Sequence, residues 1–176
     1  QMHFVGANIS TGCSEIYSAK HTPQMKISDA VRVSMSIPLV FAAVKNAKAD
    51  ILVDGGLLNN YPLRLFDEGR DVNYETLGFR LDSAQLISVL KDKQKPQSRA
   101  IRNFRKYIIF LIDTLISTQD AVHLKSDDWK RTVYIDCLNI RPMDFDIGTY
   151  EKKLLIEQGI KHTSQYLDWY LRQSLE

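Results

Sequence analysis

Residues Ile51–Leu63 read ILVDGGLLNNYPL, an apolar strand that delivers Asp54, then Gly55 and Gly56, then Asn59 and Asn60 ahead of Tyr61 and Pro62. Two readings follow from these residues alone. In one, Asp54-Gly55 is a hairpin turn between apolar runs, the glycines supply positive φ, and the Asp54 side chain bonds the local backbone. In the other, an acid at the end of a buried strand, on a glycine turn that lets other backbone approach closely, is a catalytic carboxylate.

Working outward, short apolar strands are predicted at His3–Ile9, Ile16–Ala19, Ile51–Val53, Thr76–Leu81 and Arg131–Cys137. A short helix is expected over Asp29–Met35, with Ser28 as its N-cap, Asp29 in its first turn and Pro38 as its stop. Ile101, Phe104, Ile108, Leu111 and Leu115 recur at spacings of 3, 4, 3 and 4, which predicts a helix to about Val122. A closing helix is expected over Tyr150–Leu171, with Ile156, Ile160, Thr163, Leu167 and Tyr170 on one face. Strands alternating with helices predict an α/β layered domain, a central sheet flanked by helices.

The 176 residues are 44% hydrophobic and 25% charged, the mixture of a folded domain, which excludes disorder, collagen-like and small-knot classes. A formal charge of +2 gives no reason to expect nucleic acid as a partner. That charge is unevenly placed. Lys91–Lys106, KDKQKPQSRAIRNFRK, holds seven cations against Asp92 alone, so this stretch carries +6 and the remainder −4. It is expected to be a basic loop before the long helix, either solvated or in peripheral contact with an anionic membrane. No apolar run approaches the ~18 residues of a membrane span, so a soluble or peripheral protein is expected. Cys13 and Cys137 have no metal-type spacing to each other or to His3, His21, His123 and His162, and neither a metal nor a cofactor is expected.

Ile27–Phe41, ISDAVRVSMSIPLVF, followed after a short spacer by V-D-G-G-L-x-N-N-Y-P-L, resembles the patatin-like phospholipase family. In that family a helix of the form D-A-V-R-x-S-x-x-I-P-x-V-F precedes the strand bearing D-G-G or D-G-A. The likeness extends to Asn8–Gly12 (NISTG), similar to the family's strand and turn before that helix. It extends also to Arg131–Asp146, similar to its late strand and the loop into its last helix. The resemblance implies a serine lipid acyl hydrolase with a Ser-Asp dyad acting on phospholipid or another acyl-lipid. Asp54 would be the general base, with burial raising its pKa toward the working range. No catalytic role falls to Gly55, Gly56, Asn59 or Asn60, and no substrate-binding residue is assigned.

The nucleophile elbow G-x-S-x-G and the glycine-rich oxyanion loop of the family are missing from these residues. Gly12-Cys13-Ser14-Glu15-Ile16 comes nearest, but it lacks the second glycine, and Ser14 reads as a loop serine. Ser34 and Ser36 read as packing or capping residues at a helix end. Residues 1–176 are therefore expected to be the C-terminal half of one patatin-like phospholipase domain, holding the aspartate without the nucleophile and inactive alone. The alternative is a non-catalytic lipid-binding or regulatory module on the same scaffold.

Overall fold

A computed structural model describes residues 1–67, 71–82, 100–104, 106–112, 114, 127–138, 140 and 144–173. The chain forms two compact units, Gln1–Pro62 with Ile101–Val122, and Leu63–Ala100 with His123–Glu176. The composition is mixed α/β in both.

The first unit is built on a four-stranded sheet in the order β2-β1-β4-β3, every neighbouring pair antiparallel. Its strands are β1 (His3–Asn8), β2 (Cys13–Ser18), β3 (Val44–Lys45) and β4 (Ile51–Asp54), and α1 (Ile27–Ser34) lies between β2 and β3 in sequence. β1 is the central strand of the β2-β1-β4 trio, and its last four residues, Val5 to Asn8, are all buried. Phe4 to Ala7 is accordingly an apolar run rather than an alternation, and the one buried polar residue, Asn8, is taken up by the turn that follows. Directly opposed residues share a face of a pleated sheet, so Glu15, Gly6 and Asp54 face one way and Ser14, Ala7 and Val53 the other. The core of the unit is Tyr17, Ala30, Val33 and Leu52, with Phe4, Met25 and Val44 packed against it. Gly6 permits this closeness, because a Cβ there would lie 2.8 Å from both the Tyr17 ring and Val33 Cγ1.

The turn from β1 to β2 hangs on Asn8. Its Oδ1 accepts the amides of Ser10 and Thr11 at 3.1 and 3.2 Å, and its Nδ2 donates to Glu15 Oε1 at 2.7 Å. Gly12 closes the turn at φ +72°, a conformation that favours glycine.

In the second unit β5 (Gly78–Asp82) and β6 (Thr132–Asp136) pair in parallel, and α2 (Gly56–Asn59) belongs to the first unit, so the closing helix is α3 (Thr149–Gln173). α3 packs on β6. Arg131 is buried and forms two bonds to Asp67, 2.6 and 2.7 Å, and one to Asp128, 2.9 Å, while Asp128 also accepts from Arg64 at 2.9 Å. The Arg131 guanidinium holds the Asp67 carboxyl below the usual carboxylate range.

Three expectations need correction. α1 begins at Ile27 with Lys26 in the N-cap position, in extended conformation and without a side-chain cap, so Ser28 lies inside the helix. The helix expected from Ile101 begins at Phe104, because the Asn103 side chain accepts the Lys106 amide at 2.8 Å and caps it there. Along it Phe104 and Leu111 are exposed and Ile108 half-buried, so the stripe is not a fully packed one; Leu115 and the expected end near Val122 lie outside the described residues. Of the expected face of α3, Ile156, Ile160, Leu167 and Tyr170 are exposed and only Thr163 is half-buried. The less exposed face runs through Gln158, His162, Tyr166 and Trp169, where Trp169 meets Trp129 at 5.4 Å and the Tyr166 hydroxyl donates to the Lys130 carbonyl at 2.8 Å. Of the basic stretch, residues 91–99 and 105 lie outside the described residues.

Candidate active site around Asp54

β4 ends on Asp54, and the chain passes through Gly55 directly into the four-residue helix α2. The turn is therefore strand-to-helix and not a hairpin. Gly55 sits at φ −62°, ψ −22°, an ordinary helical conformation that any residue adopts, so positive φ is not the reason for glycine here. Space is the reason. A Cβ on Gly55 would run into the backbone carbonyl of Val5 and press on the Val5 side chain. One glycine thus lets β1 and the turn after β4 close on each other, with Gly6 directly opposite Asp54.

The Asp54 carboxylate is half-buried and accepts one hydrogen bond, from the Gly56 amide to Oδ1 at 2.7 Å. The local bond of the turn reading is therefore present even though the hairpin is absent. Gly56 also keeps the backbone bare beneath two polar groups. A Cβ there would stand 3.2 Å from Asp54 Oδ1 and 2.9 Å from Asn60 Oδ1. Among the described residues nothing bonds Asp54 Oδ2. Burial raises the Asp54 pKa above its ordinary value, and the Gly56 amide opposes that rise only in part. A carboxylate so placed keeps one oxygen open to an incoming proton donor and has raised basicity, the two properties a general base requires.

The amide of Asp54 donates to the Ser36 carbonyl at 3.0 Å, which ties the root of the segment after α1 to the end of β4. Ser36 is buried, and its Oγ donates to the Arg32 carbonyl at 2.7 Å, the helix-end role read from the sequence. Ser14 stands elsewhere. It is exposed on β2, on the opposite face of the sheet from Asp54 and two strands from Val53, roughly 10 Å at the usual strand spacing. The Asp54 amide link to Ser36 was not legible in the sequence, since a backbone contact between residues 18 apart leaves no side-chain signal. Among the described residues no three of His, Cys, Asp and Glu converge on a metal-sized site. Cys13 and Cys137 are free thiols.

The fold and this strand-end carboxylate define an α/β domain with an acid on a glycine turn. Residues 1–67, which include that turn, match the model of the patatin-like phospholipase family. The chain is similar to uncharacterized protein R571 of Acanthamoeba polyphaga mimivirus, 31% identical over 166 residues, covering 93% of this chain and 53% of that protein. It is similar also to uncharacterized protein YqhO of Bacillus subtilis (strain 168), 29% identical over 145 residues, covering 80% of this chain and 46% of that one. The chain thus spans about half the length of these curated relatives. Its fold is shared with the crystal structure of VipD from Legionella pneumophila, with a TM-score of 0.59 at 18% identity over 96% of this chain and 31% of that chain. No helix among the described residues is long and apolar enough to cross a membrane.

Proposed function

We propose that this chain is the aspartate-bearing half of a patatin-like serine lipid acyl hydrolase, with Asp54 as the general base of a Ser-Asp dyad. The observation that carries the proposal is the Asp54 carboxyl, its pKa raised by burial and its Oδ2 without a bonded partner among the described residues. In the reaction Oδ2 takes the proton of a serine hydroxyl as the oxygen attacks the acyl carbonyl, and an acyl-enzyme forms as the alcohol leaves. Water then hydrolyses that ester. The serine belongs to a G-x-S-x-G segment outside these 176 residues, and residues 1–176 form the later half of one domain. Phospholipid or another acyl-lipid is the substrate class, and Lys91–Lys106 is a further contact to anionic membrane.

The test is Asp54→Asn in the polypeptide that includes the nucleophile. The amide keeps the shape and the Gly56 bond but cannot take a proton, so kcat should fall on the order of 10²-fold or more. Turnover within a few-fold of the parent would return Asp54 to a structural role in its turn and favour the non-catalytic lipid-binding module.

A further inference from the structure

α1 carries more apolar surface than its sheet covers. At about 100° per residue, Val33, Ala30, Ile27, Val31 and Met35 lie on an arc of roughly 200° that only Ser34 interrupts, about twice the stripe a helix needs to pack on one side. The sheet takes one end of that arc, where Ala30 and Val33 are buried with Tyr17 and Leu52. The other end faces water, with Ile27 63% and Met35 59% exposed and Val31 half-buried between them.

The apolar surface continues past the helix. Ile37-Pro38-Leu39-Val40-Phe41 is a tight turn in which the Ile37 carbonyl accepts the amides of Val40 at 3.1 Å and Phe41 at 3.0 Å. Leu39 is held at φ +70°, a left-handed conformation that a branched apolar residue rarely adopts and that persists only where the surroundings impose it. Yet Leu39 is 70% exposed and Phe41 45%. A helix apolar beyond its sheet contact and a strained apolar turn that packs on little are the marks of a surface over which a second layer lies.

Charge and position choose that layer. Between Ile27 and Asp54 the charged residues are Asp29, Arg32, Lys45, Lys48, Asp50 and Asp54, three of each sign, so no excess of cations draws an anionic lipid here. The surface is also anchored beside the base. The Ser36 carbonyl accepts the Asp54 amide at 3.0 Å, and the Leu39 Cα, three residues on, lies within about 11 Å of the Ser36 Cα. A serine that gives its proton to Asp54 Oδ2 must come within roughly 3 Å of it. A helix is about 10–12 Å across with its side chains, wide enough to bring that serine to Asp54 while resting on the turn. The relatives have chain to supply it, since this one covers 53% and 46% of their lengths.

We propose that the outward side of α1 and the turn Leu39–Phe41 are the docking surface for the G-x-S-x-G segment of the same polypeptide, and that this contact seats the serine against Asp54. The identity of the segment rests on the hydrolase reading above. Whether it covers the surface is measured without turnover.

The experiment uses the polypeptide that includes that segment. With p-benzoylphenylalanine in place of Phe41, irradiation should join this position to a peptide of the G-x-S-x-G segment within one polypeptide, as read by mass spectrometry. In a second variant, Met35→Cys should react with a maleimide about tenfold or more slowly than Lys48→Cys, an exposed position off the apolar surface, and the two rates should become equal in denaturant. The photoreactive variant keeps an aromatic side chain, so it reads the surface even where Met35→Cys disturbs the fold. Equal maleimide rates in the folded polypeptide overturn the proposal. So does a crosslink to any other segment, to residues 1–176 themselves, to a second polypeptide, or to lipid when vesicles of phosphatidylcholine and phosphatidylserine are present. Crosslinking to the G-x-S-x-G segment without hydrolysis leaves the docking surface standing and sinks the hydrolase reading, whereas hydrolysis with the crosslink elsewhere does the reverse.

Discussion

Asp54 is set by two glycines that act in different ways. Gly55 is defined by what it lacks, since its φ is ordinary and the Val5 carbonyl occupies the place of a Cβ. Gly55→Ala must push β1 from the turn, and overpacking against backbone costs about 1–3 kcal/mol; a thermal midpoint within a degree of the parent would show that the turn yields freely. The raised pKa of Asp54 gives two further expectations. A base works ionised, so in the nucleophile-containing polypeptide kcat/KM should climb with pH through a value above the ordinary carboxylate value of about 3.9, and then level. A profile already flat from pH 4 upward would contradict the burial. For stability the sign is the opposite of a salt-bridged acid. The folded pKa lies above the unfolded one, so the native state binds more protons in between, and stability falls as pH rises from about 3.9 through the folded value. Asp54→Asn removes that penalty. Its melting temperature should match or exceed the parent's at pH 7, with the gap closing below about pH 4; a lower midpoint at pH 7 would contradict a burial cost. The sequence showed the acid and the glycines side by side, and of the hairpin and the catalytic glycine turn it offered, neither foresaw a strand-to-helix turn, because the deciding contact is with Val5, 50 residues away.

The elements were legible where apolar patterning is strong and local. β1, β4, β5 and β6 lie within two residues of their expected bounds, whereas β2 begins at Cys13, three residues early, because its first residues are polar and exposed. β3 has two residues and α2 four, too short for any period to register. α3 shows the limit of periodicity most clearly. Its 25 residues bear aromatic and aliphatic groups around much of the circumference, so counting apolar residues selected Ile156, Ile160, Leu167 and Tyr170 while β6 takes the side with Tyr166 and Trp169. A pair of substitutions separates the faces. Trp169→Ala should cost about 1–3 kcal/mol through lost burial and ring contacts with Trp129 and Tyr166. Ile160→Glu, on the exposed face, should stay within about 0.5 kcal/mol. Reversal of that order in denaturant titrations would mean that the exposed face is the packed one.

At the scale of the whole molecule, family likeness conveyed more than local pattern did. The helix that ends before I-P-x-V-F and the D-G-G strand are separated by a short spacer in sequence, and in the fold the Asp54 amide bonded to the Ser36 carbonyl joins them. The Asp67–Arg131–Asp128 cluster had no such signal, since Asp67 and Arg131 are separated by 64 positions and the family likeness of Arg131–Asp146 does not say what Arg131 pairs with. The same reasoning bears on what these 176 residues do alone. Asp54 offers a proton acceptor, but the nearest elbow-like serine, Ser14, points to the other side of the sheet, and the Ser36 hydroxyl is already donating to Arg32. A base without an apposed hydroxyl cannot form the acyl-enzyme that divides hydrolysis into two easier steps. The chain by itself should therefore hydrolyse a short-chain aryl ester no faster than buffer, and a serine-directed fluorophosphonate should leave its mass unchanged. Joining it to the segment that carries G-x-S-x-G should restore both hydrolysis and labelling, with the label on that segment. A fluorophosphonate adduct on a serine of the 176-residue chain, accompanied by loss of measurable turnover, would place the nucleophile within these residues and overturn the division of the dyad.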